Sequence, residues 1–286
     1  MPKEFSIMKK RVIALVLAAL IAALTFSLAG CGTAKTPSTD AETSGQSAIE
    51  GSIKFTMGID PEYPPFSYLG DDGDYTGFDV EICKAACDYL GWDFNVFAVN
   101  WDQKLIQLDN KECDCVWSGM TILDSMKEAG YVISRPYFDN EQVLLVKADS
   151  GFKSSADLAG KDVAVQLGTS GESLLNDDLK DLADIFGNVV TCDSFLKCFT
   201  ELEGNAVDAV FVDRPVADSY VAEHDGYVII DEDLGAEQYG IAFRSGDTEL
   251  CAQIESAVDA LVENGTYAGI ATKYTDIDEG NLILLK

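Results

Sequence analysis

"EQVLLVKADS" (residues 141–150) and "QYGIAFRSG" (residues 238–246) decide the fold. Each reads as an apolar strand with no helix of its own, in a chain that otherwise alternates strand and helix. Before the first, "SIKFTMGI" (52–59), "DFNVFAV" (93–99) and "CDCVWSG" (113–119) read as strands, separated by helical "GFDVEICKAACDYLG" (77–91) and "WDQKLIQLDN" (101–110). Between the two interrupting strands the pattern starts again. "KDVAVQLG", "NVVTC" and "AVDAVFV" are strands, and "SGESLLNDDLKDLADIFG", "SFLKCFTELEG" and "RPVADSYVAEH" are helices. Strands spaced by helices imply βαβ units and largely parallel sheets, which bind ligands at the carboxyl ends of their strands. A block entered and left through two lone strands makes a second lobe on a two-stranded hinge. The helical segment from 247 to 275 then returns to the first lobe, and two α/β lobes make a cleft.

One turn is unusually stiff. "GIDPEYPPFSYLG" (58–70) leaves a strand with a carboxylate, two aromatics and three prolines within eight residues. Pro61, Pro64 and Pro65 fix φ, so Tyr63 and Phe66 are held rigid, which a turn alone does not require.

The N-terminus places the protein outside the cytoplasm. Basic "MPKEFSIMKKR" precedes the uncharged "VIALVLAALIAALTFSLAG", the order of a secretory signal. "LAGC" at 28–31 resembles a bacterial lipobox, which implies a lipidated Cys31 as the mature N-terminus, anchoring the protein to the cell membrane. Residues 32–52 carry almost no large apolar side chain and read as a flexible tether. The expected organisation is signal 1–30, lipidated cysteine and tether 31–52, first lobe 53–143, second lobe 144–238, and return to the first lobe 239–286.

The chain carries 49 acidic and 20 basic residues, a formal charge of −29. Such a charge excludes nucleic acid as a partner. Seven cysteines follow Cys31, and neither close pair, Cys83/Cys87 nor Cys113/Cys115, has zinc spacing. They read as small buried hydrophobes, with room for one disulfide, and no metal or cofactor is expected. "DDGDYTGFDVEIC" imitates a calcium loop from Asp72, but its twelfth position is Cys83 instead of glutamate, so it reads as a hairpin tip.

Taken in order, "GIDPEYPPFSY", "GFDVEI", "WDQKLIQL", "SGMTI", "SRPY", "LAGKDVAVQLGTSG", "GNAVDAVFVDRPVA" and "YGIAF" resemble the family 3 bacterial extracellular solute-binding proteins, the polar amino-acid binders of ABC importers. The resemblance covers residues 53 to 276. It implies a type II periplasmic-binding-protein-like fold that closes by hinge rotation around one small polar solute, an amino acid or an amine-bearing relative. It implies delivery to a membrane permease, by a protein expected to be a monomer. Carried over residue by residue, Asp60 and Tyr63 would line the cleft with Phe66 behind, and Trp101 would stack across from Tyr63. Ser118, Gly119 and Thr121 would hydrogen-bond the ligand's α-amino and carboxylate groups. Thr169, Ser170 and Gly171 would form an anion-binding helix start. Asp213 would take the ammonium.

One position departs from the pattern. Where the family usually carries a carboxylate-clamping arginine, "MTILDSMKEAG" (120–130) has Met126. The helix start at 169–171 could hold a carboxylate alone, Lys127 or Arg135 could substitute, or the ligand is not a standard α-amino acid. Catalysis is not expected, because GxSxG and phosphate-loop patterns are absent and there is one histidine, His224. A few dehydratases share the fold, and would need a carboxylic acid poised in the cleft. A ligand sensor is the other alternative. It would normally run on into a membrane span, whereas this sequence stops at "NLILLK", so import is the expectation.

Overall fold

The computed structural model describes residues 52–286; the signal, Cys31 and tether expected in 1–51 lie outside the described residues. The first lobe begins with β1 (Lys54–Ile59), a three-stranded hairpin sheet of β2 (Glu62–Tyr63), β3 (Ser67–Leu69) and β4 (Tyr75–Thr76), then β5 (Asp93–Ala98), β6 (Cys115–Val116) and β7 (Val132–Ile133). The long β8 (Phe138–Lys147) crosses into the second lobe, which adds β9 (Asp162–Gln166), β10 (Asn188–Cys192), β11 (Ala209–Asp213) and β12 (Tyr227–Ile230). The chain returns through β13 (Ala236–Tyr239) and β14 (Ala242–Phe243).

The first lobe's sheet runs β5-β1-β6-β14-β7, with β1 parallel to β5 and β6, and β14 antiparallel to its neighbours. The second runs β10-β9-β11-β8-β12, parallel through β11 and antiparallel at β8, while β13 also pairs with β8. Both sheets are therefore mixed, because the crossing strands enter against the βαβ direction. Val143 to Val146 of β8 are fully buried, which is why this stretch reads as an unbroken apolar run.

Helices follow from the side-chain period and from their glycine stops. Thr248–Glu263 buries Cys251, Ile254, Ala257, Val258 and Leu261, one stripe at three- and four-residue spacing. It packs on Phe78–Leu90, which ends where Gly91 turns left-handed at φ 71°. Two expected helices are shorter than the sequence reading. "SGESLLNDDLKDLADIFG" breaks after Ser170–Asn176 and resumes only at Lys180–Ala183, the break falling on Asn176-Asp177-Asp178, residues that compete with a helix for their own backbone. The return helix stops at Gly265, φ 82°, before Thr266–Ala271.

All seven described cysteines are buried and unpaired. Residues 71–74 form the tip between β3 and β4, a hairpin as expected. Among the described residues no helix is long and apolar enough to cross a membrane.

Candidate functional site

The carboxyl ends of β1, β6, β9 and β11 converge between the lobes, delivering Asp60, Ser118, Gly168–Thr169 and Asp213 to one place. There Tyr63, Trp101, Lys104, Gly119, Met120, Thr121, Met126, Gly168, Thr169, Ser170 and Asp213 enclose a cavity of about 20 Å³, room for one water. A wider groove of about 1010 Å³ adjoins it, sharing Thr121 and Ser170 and adding Asn140 and Glu237.

Of the residues expected from the sequence, seven meet on the inner cavity: Tyr63, Trp101, Gly119, Thr121, Thr169, Ser170 and Asp213. Asp60, Ser118 and Gly171 stand one layer back. Ser118 Oγ accepts from Asp60 N at 3.1 Å and lies 2.6 Å from Ser67 Oγ. Asp60 accepts from Glu62 N at 2.9 Å and from Gln166 Nε2, across the cleft, at 2.6 Å. Burial raises the Asp60 carboxyl, and the Gln166 bond opposes that rise. Gly171 backs onto Gln142 and Phe211.

The rigid turn does hold its aromatic. Phe66 packs behind Tyr63 with ring centroids 5.7 Å apart, and Phe195 of the second lobe meets Tyr63 at 5.9 Å. The Tyr63 hydroxyl lies 2.8 Å from that of Tyr239. Gly119, at φ 51°, lies so close under the Tyr63 ring that a methyl group there would collide with it. Its N–H is taken by Asp79 Oδ2 at 2.8 Å, which also accepts from Tyr137 Oη at 2.6 Å. Complete burial pushes the Asp79 carboxyl up to about 7.

β8 supplies what the motifs did not reveal. Asn140 and Gln142 are two apart on one strand, so both project to the same face. Register sets Gln142 opposite Asp213 and Asn140 opposite Glu237. Each amide NH₂ has two hydrogens and divides them between the two acids. Asn140 Nδ2 donates to Asp213 Oδ1 (2.6 Å) and Glu237 Oε2 (3.0 Å), and Gln142 Nε2 to the same oxygens at 2.7 and 2.9 Å. Glu237 Oε2 also accepts from Thr121 Oγ1 (3.0 Å) and Ser170 Oγ (3.2 Å). Burial, then the neighbouring Glu237 charge, pushes the Asp213 carboxyl up to about 7.

Lys104 is the other residue that sequence reasoning missed. Its ammonium donates to Gly168 O across the cleft (2.6 Å) and to Trp101 O (3.2 Å), 4.7 Å from the Trp101 ring centroid. Burial pulls it down to about 8. A lysine on the buried side of "WDQKLIQL" was the available signal. Glu237, in a polar stretch before "YGIAF", gave none.

The sequence pattern of the bacterial extracellular solute-binding proteins, family 3, matches residues 55–277. The chain belongs to this family. It is a solute-binding protein of two α/β lobes. The L-cystine-binding protein TcyJ of Escherichia coli (strain K12) is 32% identical over 225 residues, 78% of this chain and 82% of that protein. A Streptococcus pneumoniae ABC uptake transporter substrate-binding protein, solved with bound histidine, superposes at TM-score 0.75 with 27% identity, over 79% of this chain and 93% of that one. The ancestral amino acid-binding protein AncCDT-1, a precursor of cyclohexadienyl dehydratase, gives TM-score 0.70 and 31% identity, covering 77% and 95%.

Proposed function

We propose that this chain is the substrate-binding lipoprotein of an ABC importer. Anchored through Cys31, it closes its lobes on one amino acid or related amine-bearing solute and presents the closed form to a permease. Asp213 carries the reading: an acid at the end of β11, buried on the wall of a cavity framed by Tyr63 and Trp101, is costly without a cation to face it. Relatives binding cystine and histidine support an amino-acid-sized solute. Closure fits the contacts that bridge the lobes, Lys104 to Gly168 O, Gln166 to Asp60 and Ser170 to Thr121. The cage has to widen to admit any solute larger than water, so binding and hinge motion are coupled. Seven of the ten expected ligand-binding residues line the inner cavity; Asp60, Ser118 and Gly171 are proposed to support it from behind.

Nothing in the cage favours catalysis. Asp213 and Glu237 are the acids that could be poised there, and both are engaged by the amides of β8. The test is a thermal-shift screen of the mature C31S chain, refolded to strip carried ligand, against each standard amino acid and its decarboxylated amine. A rise of several degrees with at least one compound is expected. No rise with any of them overturns the reading.

A further inference from the structure

Anions have little to hold them in this cage, and cations have more than usual. Met126 lines the cavity with a thioether. Lys104, on the cavity wall, directs two of its three ammonium hydrogens to backbone carbonyls. Lys127 pairs with Asp124 on the outer groove, and Arg135 is engaged by Asp259 and Glu255, away from the cleft. At the start of Ser170–Asn176, Glu172 N donates to Thr169 Oγ1, and Glu172 Oε2 accepts from Gly168 N at 2.7 Å. An acid already sits beside this helix start, which disfavours a second carboxylate there.

Acceptors, by contrast, are in surplus. Asp213 and Glu237 are bridged by two amide nitrogens, each within 3.0 Å of both carboxylates. Asn140, 5% exposed and on the groove wall, keeps its Oδ1 without a partner, as does Gln166 its Oε1 at 1% exposure. A buried acceptor left bare is costly, and a ligand rich in N–H donors would recover that cost.

We propose that the solute is a cationic amine or guanidine, its charge held by Asp213 and Glu237 together, and that a carboxylate on the ligand is not required. This rests on the solute-binding reading above and names its ligand class. Glu237, on the wall of the adjoining groove, becomes the specificity-determining residue, set beside Asp213 by its register against Asn140.

The test is calorimetric titration of the refolded mature C31S chain with matched pairs: arginine and agmatine, ornithine and putrescine, histidine and histamine. In at least one pair the decarboxylated member is expected to bind within tenfold of its amino acid, or more tightly. E237Q, which keeps the shape of the side chain, is expected to weaken that amine at least tenfold. M126R is expected to shift preference at least tenfold toward the amino acid, a gain that a misfolded variant cannot show. Amines weaker than their amino acids by more than tenfold in every pair overturn this inference and leave the solute-binding reading standing. So does an E237Q variant with unchanged amine affinity. If no member of any pair binds and the wider screen is also silent, the solute-binding reading itself falls.

Discussion

Asp60 and Asp213 invite comparison. Both end a strand at the mouth of the cleft, both are buried, and both are 4% exposed or less. Yet Asp60 is used up by structure: one oxygen accepts from Glu62 N in its own turn, the other from Gln166 of the opposite lobe. Asp213 faces a second carboxylate, with β8 amides as go-betweens. The position on the strand is the same and the partners differ. A carboxylate that meets only hydrogen-bond donors is architecture, whereas one held beside another acid carries a repulsion that a cation would relieve.

The largest expected effect separates the two. Asp213→Asn removes the buried charge and the repulsion from Glu237, so ligand affinity drops at least a hundredfold while the unliganded protein melts higher, by about 2–4 °C per kcal/mol relieved. Asp60→Ala strands the Gln166 amide and Glu62 N–H, costing about 1–3 kcal/mol of stability each way it is counted, and lowering the melting temperature. Calorimetry with melting curves on both variants checks this. Parallel losses in both would mean that the two carboxylates do the same job.

Next comes pH. The Asp213 carboxyl sits at about 7 when folded, above its ordinary 3.8, so the folded chain binds its proton more tightly than the unfolded chain does. Stability of the unliganded protein should therefore fall as pH rises between those values, and Asp79, also at about 7, acts in the same direction. Affinity for a cation runs the other way. It should weaken by up to tenfold per pH unit below about 7, because the cation must displace the proton. The groups facing Asp213 are Glu237, Tyr63 and Tyr239, with Asn140 and Gln142; Arg214, next in sequence, is turned away to Glu141 and Asp231. Titrations from pH 5 to 8 check it, and a flat affinity profile would remove Asp213 from the binding step.

The contrast also shows what could be read from the sequence. The lone apolar strands at 141–150 and 238–246 announced two lobes because fully buried strands are continuously apolar, a signal that survives without a structure. The turn from Asp60 to Phe66 announced itself through proline. Glu237, Asn140 and Gln142 did not, since their meeting depends on β13 and β11 both registering on β8, a nonlocal pairing that local pattern does not carry. Gln142 could have drawn notice as a polar residue inside "EQVLLVK". The break at Asn176–Asp178 was missed because the apolar spacing runs on through it.

A third prediction probes closure from the backbone. Gly168 sits at φ 76°, and a methyl group there would come within 2.6 Å of the Asp102 backbone in the opposite lobe. Gly168→Ala strains the loop and props the lobes apart, costing about 1–3 kcal/mol of the closed form alone. Affinity should fall about five- to a hundredfold. Small-angle scattering with saturating ligand should show a larger radius than wild type, and an unchanged radius would mean the lobes do not meet there.

The smallest expected effect is the most discriminating. Lys104→Met keeps the apolar stem against Trp101 and removes the ammonium that reaches Gly168 O. The lost charge-assisted bond, about 1.5–3 kcal/mol, is largely offset because a buried charge no longer has to be desolvated. Ligand affinity should change by about threefold or less. If Lys104 instead held a ligand carboxylate in place of the missing arginine, the same substitution would cost a hundredfold or more, and only for amino acids. Titrating Lys104→Met with one amino acid and its decarboxylated amine therefore decides which end of the solute this cage reads, because only a carboxylate-bearing ligand could register the loss.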